Sequence, residues 1–168
     1  MLNRDTITNL ILNDYPNDFL IDPELDTRNP DLLEFLSYCT RQRGERKFAG
    51  RGDIHPRDIL RLLPKIHMHD VEGDSTFRIR LIGTRIEAFL PRQSNPGSAL
   101  EVLPSMIYSR LQHGLEAVMK LRAPLRTTSQ KSVIAGHDYK GVETIFVPLS
   151  DNDTDINIII AITSFSKG

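Results

Sequence analysis

From Phe77 to Ile82 the chain alternates, with Phe77, Ile79 and Leu81 pointing one way and Arg78, Arg80 and Ile82 the other. A period of two predicts a strand with one buried face. Gly83-Thr84 ends that strand, a short helical turn follows over Arg85 to Leu90, and Pro91 closes it. Past a polar loop and Pro96-Gly97, a second short helical segment is predicted over Ser98 to Leu103, capped by Gly97 or Ser98. Upstream, Asn29-Pro30 places an N-cap residue before a proline at the first helical position. The helix it starts carries Leu32, Phe35, Leu36 and Cys39 on one face and stops at Gly44. Pro56 to Leu63 predicts a short helix with Asp58 in its first turn, where the helix dipole favours a carboxylate. Ile66 to Val71 predicts a strand that pairs with the Phe77 strand across a Gly73-Asp74 turn.

Downstream, Pro104 opens the longest predicted helix. Ile107, Leu111, Leu115, Val118 and Met119 form a stripe along it, suited to lie across a sheet, and Pro124 ends it. Three strand-like runs finish the chain, over Leu125 to Ile134, Val142 to Leu149 and Ile156 to Phe165. Ahead of all this, residues 1–28 hold one apolar group at helical spacing (Ile7, Leu10, Ile11) and a second around Phe19, Leu20, Ile21 and Leu25. This stretch is too apolar for a disordered tail and is expected to pack as a cap. The predicted division is a cap over 1–28 and one domain over 29–168. Strands grouped around a helical middle predict an α+β fold. Its parts are a five-stranded antiparallel sheet, the short helices and the long helix on one face, and an N-terminal helical cap.

The run Asp53-Ile54-x-Pro56-x-Asp58-Ile59-x-x-Leu62-Leu63-Pro64 leads into His69-Asp70-Val71 and then Phe77-Arg78-x-Arg80-Leu81-Ile82-Gly83-Thr84. Together these resemble a bacterial family of PAS domains, over roughly residues 29–165. The resemblance implies a PAS-like fold and a signalling role; it implies no particular ligand.

Phase along the strands then sorts the side chains. Phe77, Ile79 and Leu81 are expected to join Val147, Ile158 and Ile160, with Leu103, Ile107, Leu111 and Leu115 from the helical layer. Such an interior either holds an apolar or weakly polar ligand or is filled by its own side chains. The alternate positions, including Val71, Ile82, Phe146, Ile159, Ala161 and Phe165, are expected on the outer face with His67, His69, Arg78 and Arg80. An apolar patch with a basic rim does not stand open to water. The N-terminal segment, a second subunit or a signalling partner is expected to cover it, with Ile82, Phe146, Ile159 and Phe165 as the candidate interface residues. Many PAS domains use an N-terminal cap and the outer sheet face to dimerise, so the resemblance implies a homodimer burying on the order of 1,200 Å² or more.

Composition excludes several classes. A net charge of −1 with scattered Lys and Arg gives no nucleic-acid footprint. The densest basic run, Arg41 to Lys47, reads as a solvated helix end. One cysteine in the chain gives no disulfide framework and fits a reducing cytoplasm. No apolar stretch has the length of a membrane span, and no signal-peptide core opens the chain.

Candidate chemistry is sparse. His67 and His69 share a strand face, as two metal ligands would, with His55 or His137 as a third. No cysteine pair or carboxylate cluster joins them, so no metal is predicted. His113 lies nearly opposite the long helix's stripe, which removes it as a haem ligand. Cys39 sits inside an apolar stripe and reads as a small buried hydrophobe, with no role as nucleophile or flavin adduct site. No nucleophile elbow or phosphate loop is present, so no enzyme and no cofactor are predicted. The expected function is a cytoplasmic sensory or protein-interaction module in bacterial signalling. With no kinase, cyclase or helix-turn-helix after the last strand, its output is expected through dimerisation or a signalling protein partner. The alternative is a small enzyme or carrier that uses the apolar interior as its substrate pocket.

Overall fold

The computed structural model describes residues 19–88, 90, 94–103, 105–129 and 139–167. The apolar group Ile7, Leu10 and Ile11 lies outside the described residues, as does the turn with His137. Strands are β1 (Phe19–Asp22), β2 (Ile66–Gly73), β3 (Thr76–Ile82), β4 (Leu125–Ser129), β5 (Tyr139–Leu149) and β6 (Ile158–Lys167). Helices are α1 (Pro30–Arg43), α2 (Thr84–Glu87) and α3 (Ser105–Leu121). Short 3-10 turns at Arg51–Asp53, Pro56–Ile59 and Leu63–Lys65 join α1 to β2. Every strand pairing is antiparallel, in the order β1-β4-β5-β6-β2-β3. The fold is α+β as predicted, with six strands where five were expected. The sixth strand is β1: the Phe19 end of the expected helical cap lies along β4, with Phe19 opposite Ser129.

α1 follows its sequence signals. Asn29 accepts hydrogen bonds from the backbone N–H groups of Asp31 and Leu32, Pro30 occupies the first turn, and Gly44 follows the helix at φ 61°. Its buried face is Leu32, Phe35, Tyr38 and Cys39. Burial pushes the Cys39 thiol up to about 12, so it stays protonated and inert.

Helices cover both faces of the sheet, not one. On one face α1 and the 3-10 turns bury Ile66, Met68, Ile145, Val147, Leu149, Ile158, Ile160 and Ile162. On the other, α3 buries Phe77, Ile79, Phe146, Ile159 and Ala161 under Leu115 and Val118. Val147, Ile158 and Ile160 thus lie on the face opposite their expected companions. The expected interface residues are also inside: Phe146 and Ile159 are buried beneath α3, and Ile82 packs against the same cluster. Phe165 is half-buried and lines the cavity on that face. Both residue sets of β5 and β6 are apolar, so alternation alone does not say which one meets α3.

A bulge accounts for the remaining error of phase. Met68 pairs with Leu81, but His69 pairs with Ile79, which leaves Arg80 as an extra residue on β3. Ile79 and Ile82 consequently share the α3 face, and Leu81 turns outward to 38% exposure. We expect Ile79→Asp to cost about 3 kcal/mol or more, because Ile79 is 1% exposed and a carboxylate there replaces an apolar side chain packed in the core cluster. Leu81→Asp should cost about 1 kcal/mol or less. Urea denaturation of the two variants checks the bulge directly, since strict alternation makes both equally damaging.

Candidate functional site

Between α3 and the sheet lies a cavity of about 140 Å³. Its apolar walls come from Ile79 and Ile82 on β3, Phe146 on β5, Ile86 beside the end of β3, Leu103, and Ile107 and Leu111 on α3. Gly114 lets α3 lie close to this floor. A Cβ there would stand 2.8 Å from the Phe146 ring, so the helix approaches over a residue with no side chain. Of the predicted lining residues, Ile79, Leu103, Ile107 and Leu111 border the cavity, while Phe77 and Leu115 belong to the core cluster around it. Leu81, Val147, Ile158 and Ile160 do not take part.

The polar part of the wall escaped sequence reasoning. His67 and His69 on β2, Thr163 on β6, and Thr144 and Thr127 on β5 and β4 line the cavity, and all are buried. They form a chain. His67 Nδ1 lies 2.8 Å from His69 Nε2, His67 Nε2 lies 2.8 Å from Thr163 Oγ1, and Thr163 Oγ1 lies 2.9 Å from Thr144 Oγ1. The rings of His67 and Phe146 meet edge to face at 6.2 Å. Thr127 stands opposite Thr144 in register. Ser129 accepts a hydrogen bond from Arg110 of α3, which brings a cation to the cavity's edge. The signal was available: Thr144 lies two residues before Phe146 and Thr163 two after Ala161, on the same face of otherwise apolar strands.

Both histidines are held neutral. Burial lowers His67 to about 4, and burial with the neighbouring His67 takes His69 well below the ordinary histidine range. The pair does not present itself as metal ligands, because one ring nitrogen of each is engaged with the other. Among the described residues no group of three or more His, Cys, Asp or Glu side chains could hold a metal ion. Cys39 lies on the opposite face of the sheet, out of reach of anything in the cavity. His113 is half-buried on α3 and does not border the cavity.

The motif residues do different work. Asp53 accepts from the backbone N–H of Gly50 at 2.7 Å and pairs with Arg46 at 2.7 Å. Asp58 accepts from the Tyr38 hydroxyl at 2.9 Å, and that hydroxyl accepts from His55 N–H at 2.9 Å. Gly83 packs on Leu63-Pro64 and donates to Ile66 O at 2.6 Å. These contacts fasten α1 and the 3-10 turns to the sheet. The Asp53 to Pro64 part of the signature and Gly83 are scaffold, while His69 and Ile82 from its later parts line the cavity.

A family model described as a PAS domain matches residues 27–163. No curated protein and no solved structure matches the chain. No helix among the described residues is long and apolar enough to cross a membrane.

Proposed function

The chain belongs to the PAS domain family, and on that premise we propose that it is a cytoplasmic sensor in bacterial signal transduction whose α3-side cavity takes a small, mainly apolar ligand. A sensory or signalling role is the general property of the family. The observation that carries the ligand is the cavity itself: about 140 Å³, apolar on most sides, with imidazole and hydroxyl groups gathered on one wall. Small-molecule sites combine those two features, an apolar enclosure and a few convergent polar groups. An apolar cavity of about 150 Å³ holds a benzene ring, so the ligand here should have about six to ten non-hydrogen atoms.

Output then passes through protein contacts, to a second copy or to a signalling partner. α3 contributes Ile107, Arg110 and Leu111 to the cavity and packs on β4 and β5. A ligand that binds one placement of α3 better than another shifts the balance between them, which a partner reads at the surface. Catalysis is not part of this reading.

Native mass spectrometry of protein purified from its own host tests the proposal, together with thermal melting against a panel of small apolar compounds. A true ligand at about 100 times its Kd should raise the melting temperature by about 5–10 °C. A sensor returns that ligand chemically unchanged, whereas an enzyme converts it. Protein that retains no small molecule and is stabilised by none of the panel would remove the cavity from the function.

A further inference from the structure

The hydrogen-bonded chain from His69 through His67 to Thr163 can run through its imidazoles in only two directions. Each neutral imidazole carries one N–H and one bare nitrogen, and each hydroxyl donates once and can accept twice. In the first order Thr144 donates to Thr163, Thr163 to His67 Nε2, and His67 Nδ1–H to His69 Nε2. The proton of His69 then sits on Nδ1. In the second order the imidazole donations reverse: His69 Nε2–H to His67 Nδ1, and His67 Nε2–H to Thr163. His69 Nδ1 is then a lone pair, the Thr163–Thr144 bond can run either way, and one hydroxyl proton of that pair is left over.

The two ends of the chain are not equivalent. His69 Nδ1 is fully buried with no hydrogen-bond partner, and His69 is 2% exposed, so nothing completes that end. Thr144 lines the cavity, and an occupant can complete its end. On the protein backbone an orphaned buried N–H is rarer than an under-satisfied acceptor, and the same order is applied to the imidazole. The closed end therefore sets the direction, and the open end must supply a donor.

Resting on the ligand-sensing reading above, we propose that the cavity selects an uncharged ligand carrying a hydrogen-bond acceptor, a carbonyl oxygen above all, received by the hydroxyl proton that the Thr144–Thr163 pair leaves free. Thr127, across from Thr144 on β4, offers a second hydroxyl at the same place. Both histidines are Nε2–H tautomers in this arrangement. A ligand with a donor alone could reach a hydroxyl lone pair but would leave the spare hydroxyl proton unpaired.

Two measurements test this. The first is long-range proton–nitrogen correlation on isotope-labelled histidine, which should show Nδ1 of both His67 and His69 unprotonated; a protonated His69 Nδ1 overturns the direction. The second is calorimetric titration with acetophenone and α-methylstyrene, which share a shape and differ in a carbonyl oxygen for a methylene. Acetophenone should bind about tenfold tighter, the worth of one good hydrogen bond. Replacing Thr127, Thr144 and Thr163 together by Val should erase that difference and leave hydrocarbon binding in place, while Ser at the same three positions, which keeps the hydroxyls and folds if Val does not, should preserve it. Equal binding of the two probes by the unaltered protein sinks the acceptor preference but leaves the cavity as a ligand site. Binding of neither sinks both.

Discussion

Gly83→Ala should destabilise the protein by about 3 kcal/mol and lower its melting temperature by about 6–12 °C. The reason is space and not backbone freedom, since Gly83 adopts φ −65° and ψ 150°, which any residue can take. A Cβ at this position would lie 2.4 Å from Pro64 O, 2.5 Å from Leu63 O and 2.6 Å from Pro64 C. All three are backbone atoms, so no rotamer change relieves the overlap. The neighbouring chain must move, and the Gly83 N–H to Ile66 O bond moves with it. Gly52→Ala serves as the control: no atom stands within 4 Å of a Cβ there, so the change should stay within about 0.5 kcal/mol. Equal melting temperatures for the two variants would mean that the turn at Leu63–Lys65 does not sit on the end of β3 as described.

The same contact explains why the fold was legible in the sequence. Leu63 and Gly83 are twenty residues apart, and Leu63-Pro64 fits Gly83 as backbone against a missing side chain. The caps of α1 at Asn29-Pro30 and Gly44 are local signals and appear where the sequence places them. What alternation did not carry was phase. Ile158 to Ile162 is an unbroken apolar run, and such a run is the mark of a strand covered on both faces. Read as one buried and one outer set, it sends Phe146 and Ile159 to a surface that does not exist. Nor does any residue pattern announce the bulge at Arg80, because the extra residue is defined only by what it pairs with on β2. The polar wall was lost through that same phase. Once Phe146 and Ala161 are known to face α3, Thr144, Thr163, His67 and His69 follow from the pleat, and the cavity acquires its chemistry.

Mild acid should destabilise this protein through its two buried imidazoles. The rings of His67 and His69 are buried in a wall whose other polar groups are hydroxyls and Arg110, and no carboxylate lines the cavity among the described residues. Arg110 itself disfavours a second positive charge nearby. Burial lowers His67 from 6.5 to about 4, and His69 is lowered by burial and by His67. In the unfolded chain both return to the ordinary value near 6.5. Between about pH 6.5 and pH 4 the unfolded state therefore binds more protons than the folded one, and stability falls as pH falls. Above the upper limit the contribution is complete; below about 4 the His67 share is spent. For His67 alone the loss is about 2 kcal/mol by pH 5 and about 3 kcal/mol in full, at about 1.4 kcal/mol per pKa unit. His69 adds to it with the same sign. Asp31 and Asp53, held below their usual range by Lys65 with Arg61 and by Gly50 N–H with Arg46 respectively, lose their contributions only below about pH 4, so the windows separate. Urea midpoints measured from about pH 7.5 down to about pH 4.5 should drop steeply across the histidine window. His67→Gln, which cannot take up that proton, should begin less stable and fall less. A ligand in the cavity should hold both midpoints up by the same mass action that raises the melting temperature. A midpoint that is flat across this window, or that rises on acidification, would place the two imidazoles in contact with water or a carboxylate, and the neutral hydrogen-bonded chain would not exist.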